Sequence, residues 1–428
     1  MDAIRTLPDQ QAMHIMYILR SFPTTTEMST LNEITAMVRR GMQVSIVSLV
    51  KPAGPAKVHD DVNRYNLLEM TYYLNVSSGI KRLSNVIKRT VYGQLKLFLR
   101  ARIPLKSKFV ASFYSIKKKS RRLSLVHLVD LINFIGAKKP DVLYFHFAIH
   151  AGELIILRKV FRIPFVVFFH GFDFSKDLPF HKYNYPQMFR DGDWFFTNSN
   201  FAGMKVRNLG CPAEKLSVVG LPVDDHQYPY VARKKKDRIQ ILTVGRLVEK
   251  KGLEYSIEAV ARLIKEYPQL QYNIIGDGPL EDNLRQQINK NGCENNIHLL
   301  GSLKKSEVIE KMLSSDIFLL ASVTAADGET EGLPMVSLES QLTGMPIVAT
   351  HHSGFSDSVL EGRTGFLVPE RDVDMLYERL KWLIQNPSKW EEYGRIGRDH
   401  IMKNFSESVY MNKILEVLGD LRKNIRRV

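Results

Sequence analysis

Two carboxylates carry the most chemical information in this chain. Glu331 and Glu339 stand eight residues apart in Glu331-Gly-Leu-Pro-Met-Val-Ser-Leu-Glu339. The run Asp316-Ile-Phe-Leu-Leu-Ala321 before them reads as a buried strand, and residues 334–342 read as a helix. With Glu331 at the mouth of that helix, Glu339 lies about two turns on, roughly 12 Å away at about 1.5 Å per residue. That distance spans a nucleotide-sugar from its sugar to its ribose. The helix N-terminus between them offers unpaired backbone N–H groups and a positive dipole end, which suit a diphosphate.

A second group of candidates follows the strand 239–244. Gly245 lets backbone approach a ligand at a strand end, and Arg246 and Lys251 flank a turn that opens a helix. Two cations there neutralise a diphosphate without a metal, Arg as a planar fork and Lys as a point charge. An ordinary solvated basic loop is the competing reading. Gly276-Asp277-Gly278-Pro279 lacks the full G-x-G-x-x-G spacing and follows the second strand of its half. It argues against hydride transfer and reads first as a tight turn.

His170-Gly171-Phe172-Asp173 caps the apolar strand 165–169, where a His can face a cleft and a Gly admits a ligand. His146, after Tyr144-Phe145, stands in a similar position. Ser21-Phe-Pro-Thr-Thr-Thr-Glu27 leaves the first strand for a helix. Its hydroxyls, Thr25 among them, and Glu27 suit a polyhydroxylated substrate as well as they suit N-capping. Thr25, Glu27, His146 and Asp173 are thus the candidate acceptor contacts. Asp191-Gly-Asp193 and Asp372-Val-Asp374 match a D-x-D pattern that is common by chance. No His/Cys cluster has zinc spacing, and no G-x-S-x-G elbow is present. No cofactor and no metal are expected.

These side chains need strands to carry them. In the first half, strands are expected at 14–19, 44–49, 142–147, 165–169, 194–197 and 216–219, with helices at 28–40, 123–135, 152–161 and 201–209. Residues 52–75 show no clear period. Gly220-Leu-Pro-Val-Asp224 and the basic stretch 233–238 read as a linker. The alternation then restarts, with strands at 239–244, 272–275, 297–300, 317–320, 346–349 and 365–368. Helices are expected at 253–266, 280–289, 305–313, 334–342 and 373–384. Helices near 390–402 and 407–422 have no strand between them. Strand–helix alternation implies parallel sheets covered on both faces. The expected fold is α/β: two doubly wound domains, over residues 1–222 and 223–402, with 403–428 returning toward the first. Ligands of such sheets bind at the carboxyl ends of the strands, so the cleft between the domains is the expected site.

Bulk properties narrow the class. A chain of 428 residues accommodates two cores of roughly 200 residues each. An apolar content of 44% and a charged content of 25% exclude a disordered chain. No apolar run reaches the ~18–20 residues that span a bilayer. The first residues lack a signal-peptide build, and Cys211 and Cys293 are too few and too far apart for a disulfide framework. Both features predict a cytoplasmic protein.

The net charge of +15 is concentrated: between Lys81 and Arg122 there are 14 Lys/Arg and no acid, leaving the rest of the chain nearly neutral. Lys81, Arg82, Lys88 and Arg89 interleave with Val86, Ile87, Val91 and Leu95, the makeup of an interfacial amphipathic helix. Segment 81–122 is expected to rest on an anionic membrane surface, placing the protein at the inner face of the membrane. A solvated helical face is the competing reading. Tyr92, Phe98 and Phe109 would allow base stacking, but no nucleic-acid motif accompanies them, and nucleic acid is not an expected partner.

Taken in order, these pieces resemble the family 4 glycosyltransferases, most strongly from about Asn198 to Leu376. The resemblance rests on His170-Gly-Phe-Asp173, Val244-Gly-Arg246 with Lys251-Gly252, Gly276-Asp-Gly278, and Glu331-Gly-Leu-Pro with Glu339. Asp327-Gly-Glu-Thr-Glu331-Gly-Leu-Pro-Met and the opening Ser21-Phe-Pro…Glu27 are similar to transferases of colanic-acid, exopolysaccharide and capsule assembly. The resemblance implies the GT-B architecture, two facing Rossmann-like domains with a deep interdomain cleft. It implies retaining transfer of a hexosyl group from a nucleotide-diphosphate sugar. With the basic segment 81–122 bringing the acceptor to the cleft, a lipid-linked glycan is the expected acceptor, and the fixed cations make a metal unnecessary.

Position by position, it implies that Glu331 contacts the donor sugar and Glu339 the ribose. Arg246 and Lys251 would hold the diphosphate with backbone N–H groups near Gly332 and Leu333. Gly245, Gly276 and Gly278 would complete the donor site, and His170 would face the reacting sugar. No carboxylate presents itself as a nucleophile for double displacement, so a front-face route is expected, in which the leaving phosphate assists the acceptor hydroxyl. Three departures stand out. Phe22-Pro-Thr-Thr-Thr replaces the glycine-rich turn of many members, Gly354-Phe-Ser-Asp357 replaces Gly-Ile-Pro-Glu, and Leu221-Pro-Val-Asp224 replaces Asn-Gly-Val-Asp. The alternatives are a GT-B epimerase or phosphorylase acting on soluble sugars and, in another class, a nucleic-acid-binding protein.

Overall fold

The computed structural model describes residues 13–24, 28–52, 59–74, 125–175 and 185–426. The basic segment 81–122 and the candidates Thr25 and Glu27 lie outside these residues. The longest apolar runs become central strands. β1 (His14–Ser21) reads His-Ile-Met-Tyr-Ile-Leu and is buried over its first six residues. β4 (Val142–His146) and β5 (Phe165–Phe169) are buried throughout. Such runs, apolar at successive positions, suit strands covered on both faces. With β2 (Gln43–Val50), β3 (Thr71–Tyr73), β6 (Trp194–Thr197) and β7 (Leu216–Val218) they form a seven-stranded sheet in the order β3-β2-β1-β4-β5-β6-β7.

The second sheet has six strands: β8 (Gln240–Val244), β9 (Gln271–Ile275), β10 (Ile297–Leu299), β11 (Ile317–Leu320), β12 (Ile347–Thr350) and β13 (Gly365–Val368). Their order is β10-β9-β8-β11-β12-β13. Every pairing in both sheets is parallel. Strand order reverses between β1 and β4 and again between β8 and β11, and the crevices at such reversals are where doubly wound sheets take ligands. The strand ends there carry Arg20, His146 and His170 on one side, and Gly245, Arg246 and the 321–334 loop on the other.

Three differences from the sequence reading have local causes. β3 and the short helix Asp60–Arg64 arise in the aperiodic stretch because both are too brief for a period to show. The helix expected from residue 152 begins at Ala148, directly after Phe147 turns the chain with φ 76°. It then breaks, and a separate helix runs over Ile156–Phe161. Arg233, read as part of a solvated basic stretch, is only 2% exposed. Its guanidinium donates to the carbonyls of Leu313 at 2.7 Å, Met312 at 2.8 Å and Thr343 at 3.1 Å. These end the helices Lys305–Ser314 and Met335–Leu342, whose terminal carbonyls lack helical partners.

The chain crosses between the sheets at residues 219–224 and again near residue 405, where Val223 and Ser406 form a bridge. The last helix, Glu407–Arg426, lies against the first sheet's helices. Glu407 pairs with Arg40 at 2.8 Å and with Arg39, and Arg422 Nε meets Asp141 at 3.0 Å. No helix among the described residues is long and apolar enough to cross a membrane. Cys211 and Cys293 are buried and unpaired.

Candidate active site

The carboxyl ends of the two sheets face each other across a cavity of about 650 Å³. The first sheet supplies Arg20, Phe147 and His170 to its wall; the second supplies Arg246, Lys251 and Glu331. The halves touch through small residues. A Cβ on Gly171 would stand 3.2 Å from the backbone nitrogen of Gly332, and one on Gly332 would stand 2.6 Å from Asn198 Nδ2. A side chain at either position would crowd this contact.

Charge is organised around Glu331. Its carboxylate lies 3.2 Å from Lys251 Nζ and 3.5 Å from Lys250 Nζ, and Lys250 also meets Glu329 at 2.9 Å. Burial works to raise the Glu331 carboxyl, but Lys251 and Lys250 outweigh it and hold it below the ordinary range. Lys251 is itself buried, its stem passing over Gly245. The guanidiniums of Arg246 and Arg20 make no hydrogen bond or ion pair among the described residues, although both line the cavity. A cleft holding two unengaged guanidiniums beside two lysines is built for an anion.

The Glu331 loop is anchored from behind. Glu331 N–H donates to His352 Nε2 at 3.0 Å, and His352 Nδ1 lies 2.6 Å from Glu370. An Nε2 that accepts leaves the proton on Nδ1, so His352 donates to Glu370. Glu370 also accepts from Thr324 N–H at 2.8 Å. Burial lowers the His352 pKa despite Glu370, which keeps the ring neutral and Nε2 able to accept. The reading of the sequence passed over Lys250, Arg20, Asn198, His352 and Glu370. The basic pair Lys250-Lys251 was a usable signal; nothing local marks His352 or Glu370.

His170 sits on the cavity wall with its ring stacked on Phe147 at 4.5 Å. Phe147 holds a left-handed φ at the end of β4, and strain in a bulky residue there is a mark of a functional site. Burial, with His146 adding, lowers the His170 pKa well below its ordinary value.

Several expected contacts lie elsewhere. His146 is 1% exposed and stands behind His170, not on the wall. Asp173 is fully buried; its Oδ2 accepts from His170 N–H at 2.9 Å, so it shapes the turn instead of meeting an acceptor. Gly276 and Gly278 also lie off the wall. A Cβ on Gly276 would stand 1.9 Å from Gly245 O, and one on Gly278 2.5 Å from Leu247 O, so this turn buttresses the Gly245 loop. The cavity wall ends at Val336, and Glu339 lies one turn deeper, half-buried beside Tyr228. Burial raises its carboxyl, with Tyr228 and Lys305 partly offsetting. Asp357 accepts from Asn200 N–H at 2.6 Å and from Asn200 Nδ2 at 2.8 Å, which joins the halves. In the D-x-D pairs, Asp193 holds Arg158, Asp191 holds Lys159, Asp374 holds Arg262, and Asp372 caps its helix.

Two Rossmann-like sheets facing across a cleft lined with cations are the GT-B architecture. The family description "Glycosyl transferases group 1" matches residues 225–400, and "Glycosyltransferase Family 4" matches residues 100–227. The chain is 30% identical over 417 residues to the colanic acid biosynthesis glycosyltransferase WcaL of Escherichia coli K12, covering 96% of this chain and 100% of that one. It is 30% identical over 418 residues to the amylovoran biosynthesis glycosyltransferase AmsK of Erwinia amylovora, again covering 96% and 100%. Its fold is similar to that of HepE from Anabaena, solved in complex with UDP, with a TM-score of 0.72 at 17% identity over 95% of this chain and 100% of that one. The chain belongs to the group 1 and family 4 glycosyltransferases.

Proposed function

We propose that this glycosyltransferase moves a hexosyl group, with retention of configuration, from a nucleotide-diphosphate sugar to a lipid-linked glycan during exopolysaccharide assembly. The observation that carries the donor is the cation set of the cleft, Lys250, Lys251, Arg246 and Arg20, around a loop that ends in a helix N-terminus. In this reading Lys251 and Arg246 hold the diphosphate with the N–H groups of Gly332 and Leu333, and Glu331 contacts the sugar. The Glu331–Lys251 pair fills the site until the phosphates arrive. A ribose reaching along the face of Met335 meets Glu339, one turn on. His170 faces the reacting sugar from the other wall.

The polysaccharide role is supported by the names of WcaL and AmsK, which align with 96% of the chain. The first half, through residue 222, takes the acceptor, and segment 81–122 brings it to an anionic membrane at the cytoplasmic face. The two carboxylates on the cavity wall, Glu329 and Glu331, are each engaged with lysine. That supports the front-face route, in which fixed cations stabilise the leaving diphosphate and its oxygen assists the acceptor hydroxyl. Isolation of a trapped glycosyl-enzyme would overturn it. Calorimetric titration with UDP, GDP and ADP, with and without magnesium, tests the donor site: one nucleotide binds, and Lys251→Ala weakens it. Absence of binding by every nucleotide would overturn the placement of the diphosphate.

A further inference from the structure

Glu33 is a carboxylate with no exposure to solvent, on the helix Met28–Arg39, and the transfer reaction as described makes no use of it. Tyr17 OH donates to its Oε1 at 2.8 Å, and Tyr410 OH, from the last helix, donates to its Oε2. His146 Nε2 stands 3.5 Å from the same Oε2. Among the described residues no lysine or arginine reaches this carboxylate, and the imidazole of His146 is the basic group that faces it. On the far side of the ring, His146 Nδ1 lies 3.0 Å from His170 Nε2, with Thr30 Oγ1 at 3.2 Å on the same nitrogen. Glu33, His146 and His170 thus form a row running from the core of the first half to the wall of the cleft.

The row has a consequence for protons. A lone pair on His146 Nε2 would face a buried carboxylate, and in a medium of low dielectric that repulsion is costly. The proton of His146 therefore sits on Nε2, which leaves Nδ1 an acceptor. His170 must supply the proton between the two rings, from its own Nε2. The remaining nitrogen of His170, Nδ1, has no partner among the described residues. We propose that Glu33 and His146 are positioning residues that fix His170 as its Nε2–H tautomer, so that it offers the cleft an acceptor for a sugar hydroxyl. Burial, which lowers the His170 pKa, keeps the ring in this neutral form. The identity of the hydroxyl rests on the glycosyl-transfer reading; the tautomer is a property of the free protein.

The test uses the full chain labelled with 15N-histidine and long-range 1H–15N spectra, with His170→Gln identifying the signals of that ring. The expected spectrum shows His170 protonated on Nε2 and bare on Nδ1. Glu33→Gln, which keeps the shape, should give a mixture of tautomers at His170. It should also lower turnover roughly 10²-fold, the scale of a slightly misplaced group, on whichever of UDP-glucose, UDP-galactose and GDP-mannose the wild type uses. Nucleotide affinity should be unchanged. Should Glu33→Gln fail to fold, His146→Phe keeps a flat ring but removes the nitrogen that accepts from His170 Nε2–H, and carries the same readouts. A wild-type His170 protonated on Nδ1, or a folded variant with wild-type tautomer and turnover, overturns the proposal. Loss of all donor turnover in the wild type would count against the transfer reading, and the spectra would still decide the tautomer.

Discussion

At the scale of single residues, the cleft works by charge held out of water. Lys251 reaches the Glu331 carboxylate only because its stem lies along Gly245 and is sheltered there. Removing its ammonium by Lys251→Ala should weaken binding of the cognate nucleotide by about 10-fold or more, since a hydrogen bond to a charged group contributes ~1.5–3 kcal/mol. Calorimetry measures this, and unchanged affinity would move the diphosphate elsewhere. Asp173 shows the opposite balance. Burial pushes its carboxyl up to about 7, although backbone N–H groups pull it down; the ordinary value is about 3.9. As pH rises, the unfolded chain gives up this proton first, so Asp173 weakens the fold progressively from about pH 4 to about pH 7. Asp173→Asn keeps an acceptor for His170 N–H and removes the charge. Its melting temperature should gain on the wild type between about pH 4.5 and about pH 8. A gap constant with pH would mean that Asp173 ionises normally.

At the scale of elements, loops at strand ends are positioned by other loops. Gly276 has φ 142° and leaves no room for a Cβ against Gly245 O. Gly276→Ala should cost about 2–4 kcal/mol from overpacking and backbone strain together, read by urea unfolding. It should also reduce nucleotide binding, because the neighbour that must move carries Arg246. Wild-type stability would show that this turn yields freely. On the other side, the His352–Glu370 pair holds the Glu331 backbone. Glu370→Ala frees the His352 ring and should weaken nucleotide-sugar binding several-fold, about 1 kcal/mol for one hydrogen bond. Its effect on nucleotide alone should be smaller, since Glu331 is assigned to the sugar. Equal losses for nucleotide and nucleotide-sugar would remove that division.

At the scale of the molecule, the two halves are tied at their junction and across the cleft. The strand-like crossings at 223 and 406 run side by side, and Asp357 holds the start of the helix Asn200–Asn208 from the opposite half. The last helix brings Tyr410 to Glu33, behind His170, so the chain's final element supports the wall of its own cleft. Segment 81–122 concentrates the basic residues of the sequence. The intact protein should float with vesicles containing anionic lipid and not with neutral ones. Replacing Lys81, Arg82, Lys88 and Arg89 with glutamine should remove this preference, at ~1 kcal/mol for each basic residue near the surface. Flotation indifferent to lipid charge would exclude the membrane role.

The sequence alone determined every strand but β3 and much of the cavity wall, because both depend on neighbours in the chain. β5 was legible as Phe-Val-Val-Phe-Phe, since a strand buried on both faces needs successive apolar residues. Gly245, Arg246, Lys251, Glu331, Gly332, Leu333 and His170 were legible because doubly wound sheets present their strand ends to ligands. Edge strand β3 was too short to leave a pattern. Only the tertiary structure decided what each polar group faces. His146 and Asp173 occupy the same kind of strand exit as His170, yet burial turns them inward. Glu33 is an ordinary helical glutamate until residues 17, 146 and 410 converge on it. Its role, like that of His352, rests on partners far away along the chain, and no local period or spacing encodes such a meeting.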